Sequence, residues 1–170
     1  MTRLIKHLTD GFVILARVGV GVSFSVLIAA VLIQVVGRFT GSSPVWTEEL
    51  TRYALLYMVA FGTGLALRTG DLVNVDVVCE NLPGRLPFLL RLFAALVTAG
   101  LAIFLISHAW RFTAIGRMQT SPALGLTMIY VHAAVWLLLV LLGLFAVLRV
   151  VGMLSGADDG RPQRATQDED

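Results

Sequence analysis

The sequence predicts an all-α integral membrane protein with four transmembrane helices and short interfacial amphipathic helices. Of its 170 residues, 57% are hydrophobic and 14% are charged, and the mean hydropathy is +0.84. Soluble domains carry about 25% charged residues, and a chain of this size has too small an interior to cover so much apolar surface. The apolar residues form four long runs without strand-like alternation. These observations exclude an ordinary soluble enzyme, a disordered regulator and a secreted disulfide scaffold.

The four apolar runs predict the spans of one membrane domain, residues 1–154. The shortest run has 18 residues, which as a helix reach about 27 Å, just enough for a hydrocarbon core of about 30 Å. The polar residues 155–170 cannot bury a core and predict a disordered tail. The predicted spans are 12–36, 50–67, 88–110 and 124–148.

Two shorter segments predict helices at the membrane surfaces. In segment 43–50, Ser43 and Pro44 are typical of a helix start, and Trp46 prefers the headgroup level. This helix either turns into the second span or continues as that span. Segment 71–82 places apolar residues three or four apart, which is typical of a helix lying on a membrane.

The basic residues predict the orientation. With a cytoplasmic N-terminus, nine of the 13 Lys and Arg residues fall on the cytoplasmic side. The positive-inside rule therefore favours two cytoplasmic termini. The single cysteine, Cys79, then lies in a reducing compartment and is interpreted as an inert apolar residue. The basic residues form no stripe with interleaved aromatics, so nucleic acid is not expected as a partner.

The sequence offers little for chemistry. The middle thirds of the predicted spans contain no Asp, Glu, Lys or Arg, which argues against an autonomous pump or channel. No catalytic motif, metal-spaced cluster or phosphate loop is present, so we expect neither an enzyme nor a cofactor. The alternative is a redox subunit that binds b-type haem through His108 and His132. Their predicted depths differ by about 8 Å, and ordinary hydrogen bonding is favoured.

Polar residues cluster in segment 46–53, Trp-Thr-Glu-Glu-Leu-Thr-Arg-Tyr. Glu48 and Arg52 are four residues apart with the acid first, the favourable order on a helix. Two interpretations remain open. The pair is either a solvated interfacial ion pair, worth about 0.5 kcal/mol, or a polar knot that directs the helix toward a partner or toward the first span through Arg38.

Small residues recur at four-residue spacing in the second and third spans. The pairs are Ala60 with Gly64, Gly62 with Ala66, and Ala95 with Ala99. Such spacing lets helix backbones approach closely in lipid. Packing within the chain is favoured over a contact between subunits.

These features together resemble a known family. Segment 46–53, the segment Gly-Thr-Gly-Leu-Ala-Leu-Arg-Thr-Gly-Asp-Leu-Val-Asn-Val-Asp at 62–76 and Thr-Ser-Pro-Ala-Leu-Gly-Leu at 120–126 resemble the DctQ-like small membrane subunits of tripartite ATP-independent periplasmic (TRAP) transporters. The resemblance extends over about residues 10–150. It implies a location in the bacterial inner membrane.

The resemblance also implies partners and a role. A large permease subunit, DctM-like, would carry the solute and sodium, and a periplasmic binding protein would deliver an organic acid. The small subunit would be a non-catalytic scaffold that forms a heterodimer with the large one. On this basis Arg38, Arg111 and Arg117 are candidates for docking the binding protein, with anchoring to membrane lipids as the alternative. Candidates for a subunit interface or structural knot are Trp46, Glu48, Glu49, Arg52, Gly62, Arg68 and Asp76.

Overall fold

The computed structural model describes residues 2–42, 44–69 and 86–156. Their helices are α1 (Thr2–Phe39), α2 (Trp46–Thr69), α3 (Leu86–Ile115) and α4 (Ile129–Leu154), with a short 3₁₀ turn at Gly116–Met118. No strand occurs within these residues beyond one isolated bridge between Thr120 and Thr127. All four helices are long and apolar enough to cross a membrane. The predicted all-α class with four spanning helices is confirmed.

The four helices form an open row in which α2 and α4, the two central helices, run parallel to each other. Each edge helix runs antiparallel to its neighbour, α1 to α2 and α3 to α4. Helix α1 packs on α2, α2 packs on α4, and α4 packs on α3. Helix α1 also meets α4 more sparsely, whereas α3 contacts neither α1 nor α2 in the described part of the chain. Burial follows this order: 39% of the most apolar stretch of α4 is buried, against 11% for α1. The edge helices α1 and α3 therefore carry broad apolar faces that no other described residue covers.

Small residues lie where the helices cross. A Cβ atom on Gly64 would stand 2.5 Å from the ring of Phe145 on α4, and Ala60, one turn earlier, is completely buried. The alanines at 95 and 99 are buried as well. The expected close packing within the chain is confirmed at these positions. Gly62 differs, because a Cβ there would meet nothing within 4 Å.

Helix α2 is longer than the predicted second span. It begins at Trp46 and runs without interruption to Thr69, so the helix expected at 43–50 is the start of α2. Thr47 fixes this start, because its hydroxyl donates to the Pro44 carbonyl at 2.7 Å. The segment predicted at 71–82, which includes Cys79, and the tail from 157 onward lie outside the described residues.

The last helix begins later than predicted, at Ile129 instead of residue 124. Residues 119–128 form a tight turn, which we call the 119–128 loop. Gly125 has a φ of +66°, a conformation that glycine adopts without penalty. The Ser121 amide donates to the Leu126 carbonyl at 2.8 Å, and the Gly125 amide donates to the Ser121 carbonyl at 3.0 Å. In a helix from residue 124 the Leu126 carbonyl would accept from the Tyr130 amide, but here it accepts from Ser121 and the Tyr130 amide donates to Thr127.

Candidate functional site

The main polar cluster lies where the first turns of α2 meet the 119–128 loop. The Glu49 carboxylate accepts a hydrogen bond from the Ser121 hydroxyl. It also accepts from the Ala123 amide at 3.3 Å and the Leu124 amide at 3.2 Å. The Tyr53 hydroxyl donates to the same carboxylate at 3.5 Å. We call this arrangement of Glu49 with Ser121, Ala123 and Leu124 the Glu49 clamp.

The Glu49 clamp holds the loop against α2. Hydrogen bonds to an ionised carboxylate are about twice as strong as those between neutral groups. Ser121 is only 3% exposed, so its hydroxyl depends on a protein partner. The donors are 72 to 75 residues away from Glu49 in the sequence. One carboxylate therefore connects two segments that are distant in the sequence. They meet at the end of the row where α1 and α3 end and α2 and α4 begin, which we call the loop end.

Glu48 and Arg52 do not form the predicted ion pair. Among the described residues the structure contains one ion pair, between Arg68 and Asp10. Glu48 instead accepts from the side-chain amide of Gln34 on α1 at 3.4 Å. It thus reaches the first span, as one interpretation expected, but through Gln34 and not Arg38. The polar contacts between distant segments are made instead by Glu49, the neighbour of Glu48, in the Glu49 clamp.

Two arginines at the other end of the row connect the helices. Arg68, at the end of α2, donates to Asp10 on α1 at 3.4 Å. Arg149 on α4 donates to the Leu67 carbonyl of α2 at 3.2 Å. The predicted interface residue Arg68 thus has a partner within the chain, whereas Asp76 lies outside the described residues.

An open groove lies beside the Glu49 clamp. Its volume is about 510 Å³, and its walls come from the start of α2 and from the 119–128 loop. Trp46, which is 36% exposed, lines it together with both acidic residues of α2. Its lining residues are Val45, Trp46, Glu48, Glu49, Arg52, Pro122 and Ala123.

The three arginines predicted to dock the binding protein lie at the loop end. Arg38 is in the last turn of α1, Arg111 is near the end of α3, and Arg117 is in the 3₁₀ turn. All three are exposed. Within the described residues none of them forms an ion pair, so their charges face the surroundings of the chain.

The two histidines have different environments. His108 is exposed on α3, and its Nδ1 atom lies 3.2 Å from the Phe104 carbonyl of its own helix. The His132 ring stacks on Phe112 at a centroid distance of 4.2 Å. Its buried Nδ1 has no hydrogen-bond partner among the described residues and faces Gly116, where a Cβ would stand 2.8 Å away. Nothing in this described geometry favours a haem between the two rings.

Four apolar helices, each long enough to cross a membrane, define a multi-pass helical membrane protein. Residues 27–156 match the family model of the DctQ component of tripartite ATP-independent periplasmic transporters, and the chain belongs to this family. It is therefore a small permease component of a TRAP transporter. The matched region includes the Glu49 clamp and the groove. No curated protein gives a significant match to the chain.

Proposed function

We propose that the chain is the non-catalytic scaffold subunit of a sodium-coupled, binding-protein-dependent uptake system for an organic acid. It pairs with a large DctM-like permease subunit that carries the solute and the ion. The observation that carries this proposal is the open row of helices in a family member. A row with two uncovered apolar edges is suited to extend a larger membrane protein, because each edge must face lipid or another subunit.

The uncovered edges are extensive. On α1, Ile14, Val18 and Leu32 are each more than half exposed. On α3, Phe93 and Phe104 are 66% and 64% exposed. Neither edge carries the buried charged residues that an ion-coupled carrier places near the midplane of a membrane. This arrangement supports a structural role beside the subunit that moves the solute.

Reconstituted transport tests the proposal. Liposomes would contain this chain alone, the large subunit alone, or both, and would receive loaded binding protein, a labelled carboxylate solute and an inward sodium gradient. We expect uptake only with both subunits and a sodium gradient. Uptake by this chain alone would contradict the scaffold role, and full uptake by the large subunit alone would contradict the pairing.

We also propose that the protein lies in the bacterial inner membrane with both chain termini in the cytoplasm and the loop end in the periplasm. The nine-to-four distribution of Lys and Arg residues supports this orientation. Topology reporters fused after Gly156 and after Gly116 should report cytoplasm and periplasm, respectively. A periplasmic signal from the Gly156 fusion would contradict this orientation.

The loop-end arginines are proposed to receive the binding protein. Complementary charge mainly raises the rate of encounter and loses its effect as salt increases. Reversal of Arg111 and Arg117 to Glu should therefore raise the half-saturating concentration of binding protein, most strongly at low ionic strength. The large subunit should co-purify as before. If transport is normal at every salt concentration, these arginines only anchor the loop end to lipid.

A further inference from the structure

One exposed strip of α2 carries two charges followed by apolar side chains. From the loop end inward, its residues are Glu48, Arg52, Leu55, Leu56 and Val59, and all five are exposed. At about 100° per residue they lie on one side of the helix. We call this surface the α2 strip. The two charges do not pair with each other. Within the described residues the Arg52 side chain forms neither an ion pair nor a hydrogen bond.

The groove at the loop end adjoins the charged part of the α2 strip. Glu48 and Arg52 both line it, with Trp46 beside them and Pro122 on the opposite wall. The carboxylate of Glu49 is already occupied by three loop donors. The charges available to a ligand in the groove are therefore one carboxylate and one guanidinium, and the clamp holds the walls around them in place.

The order of groups along the α2 strip follows the depth in the membrane. Helix α2 begins at Trp46, and tryptophan prefers the headgroup level. With a rise of about 1.5 Å per residue, Arg52 lies about 6 Å deeper than Glu48. The exposed leucines begin about 5 Å deeper again. From outside inward, the surface therefore presents an anion, a cation and an apolar face.

A phospholipid with an ethanolamine headgroup presents the complementary series. Its ammonium group is outermost, its phosphate is deeper, and its acyl chains follow. A primary ammonium has three donors for a carboxylate, and a guanidinium donates two parallel hydrogen bonds to a phosphate. Tryptophan also attracts a cation placed over its ring. Each group of such a lipid would meet a group of opposite charge or matching polarity.

We propose that the α2 strip and the groove form a binding site for phosphatidylethanolamine. The Glu48 carboxylate accepts hydrogen bonds from the ammonium group, which lies beside Trp46. Arg52 donates to the phosphate, and the acyl chains lie along Leu55 and Val59. The site does not depend on the proposed transport role, because it uses only this chain and the lipid.

The mixed charge favours a zwitterionic lipid over an acidic loop of a partner protein. An acidic segment placed on Arg52 would bring its carboxylates close to Glu48, and like charges within a few ångströms repel each other. A zwitterion uses both side chains favourably. The exposed arginines outside the groove, such as Arg111, lack this adjacent acid and remain suited to an acidic partner.

Lipid retention by the purified chain tests the proposal. The chain would be placed in nanodiscs of phosphatidylcholine containing a small fraction of phosphatidylethanolamine or of phosphatidylglycerol, and the lipids retained on transfer to detergent would be counted by native mass spectrometry. We expect phosphatidylethanolamine to be retained about tenfold more than phosphatidylcholine, since choline cannot donate to Glu48. A tenfold change corresponds to about 1.4 kcal/mol.

Three variants assign this preference to the site. Glu48→Gln and Arg52→Gln should each reduce retention of the ethanolamine lipid about tenfold, which corresponds to about 1.4 kcal/mol. The double exchange of Glu48→Arg with Arg52→Glu keeps the net charge but reverses the order, and should abolish the preference. Arg17→Gln removes an exposed arginine on α1, away from the groove, and should leave the preference for the ethanolamine lipid unchanged. The thermal unfolding of each variant in detergent shows whether its fold is intact.

Three results would overturn the proposal. Equal retention by the reversed double variant would show that the order of charges is irrelevant. Retention of phosphatidylglycerol that matches phosphatidylethanolamine and is insensitive to Glu48→Gln would indicate a general phosphate contact at Arg52. Unchanged lipid retention together with weaker binding of the periplasmic protein to the assembled transporter would make the groove a protein-docking surface.

Discussion

The Glu49 clamp makes a prediction that separates two neighbouring acids. Glu49→Gln keeps the size of the side chain but replaces one carboxylate oxygen with an amide group that donates. Ser121, Ala123 and Leu124 all present donors to this position. If the new amide oxygen keeps the bonds to Ser121 and Leu124, the new NH₂ group faces the Ala123 amide, and two donors oppose each other.

The expected loss of loop stability follows from these contacts. A hydrogen bond to a charged group contributes about 1.5–3 kcal/mol and a neutral one about 1 kcal/mol. Glu49→Gln removes one bond to a charged group and converts the others into weaker bonds to a neutral amide. Glu49 is half-buried, so water compensates for part of this loss, and we expect the loop to open more often than in the parent protein.

Hydrogen–deuterium exchange of loop peptides measures this loss directly. The amides of Ala123 and Leu124 exchange when the loop opens, and we expect their exchange to be faster by about tenfold or more in Glu49→Gln. Glu48→Gln is the matched control, because it makes the same charge change one residue away. Among the described residues, the Glu48 carboxylate accepts one hydrogen bond, from the Gln34 side-chain amide, and its length of 3.4 Å makes it weak.

The comparison of the two variants decides the outcome. We expect fast loop exchange in Glu49→Gln and parental exchange in Glu48→Gln, both measured in detergent without added lipid. Equal exchange in the two variants would refute the view that Glu49 holds the loop. Accelerated exchange along the whole chain would show that the clamp stabilises the entire fold and not the loop alone.

Two further substitutions test the packing and the ion pair. Gly64→Ala places a methyl group against the buried ring of Phe145 and should destabilise the chain by about 1–3 kcal/mol. Gly62→Ala, which meets open space, should be neutral or stabilising, and equal unfolding temperatures would contradict the packing argument. Asp10→Asn removes the carboxylate that contacts Arg68, but the Asp10 side chain is 47% exposed. It should cost less than about 1 kcal/mol, and a loss of several kcal/mol would show that this pair holds α1 in place.

The sequence predicts the number and type of the spanning elements well, because each apolar run is longer than any strand and has to meet lipid. It predicts the bounds less well. The apolar residues after Leu124 look the same in a helix and in the 119–128 loop. The backbone bonds around Gly125 keep these residues out of α4, which therefore starts only at Ile129. The 119–128 loop is in turn held against α2 by Glu49, which is far away in the sequence.

The polar site shows the same limit. The spacing of Glu48 and Arg52 predicts an ion pair, since spacing along one helix is all that the sequence displays. The structure favours other partners: Glu48 contacts Gln34 on α1, and Glu49 contacts the loop. Ser121 next to Pro122 indicates a turn with a free hydroxyl donor. The neighbouring sequence does not indicate that the acceptor is Glu49 on α2.

The contrast between the two acids explains how one short helical segment serves two purposes. Glu49 faces the loop, where a hydroxyl and two amides satisfy it, and its charge is used for folding. Glu48 and Arg52 are exposed on the adjacent side of α2. Among the described residues, the Gln34 amide is the one hydrogen-bond partner of their charged groups. The clamp contacts between Glu49 and the loop involve neither of these two side chains. Under the proposed lipid site, these outward charges bind the headgroup, while the clamp holds the loop that forms the other wall of the groove against α2.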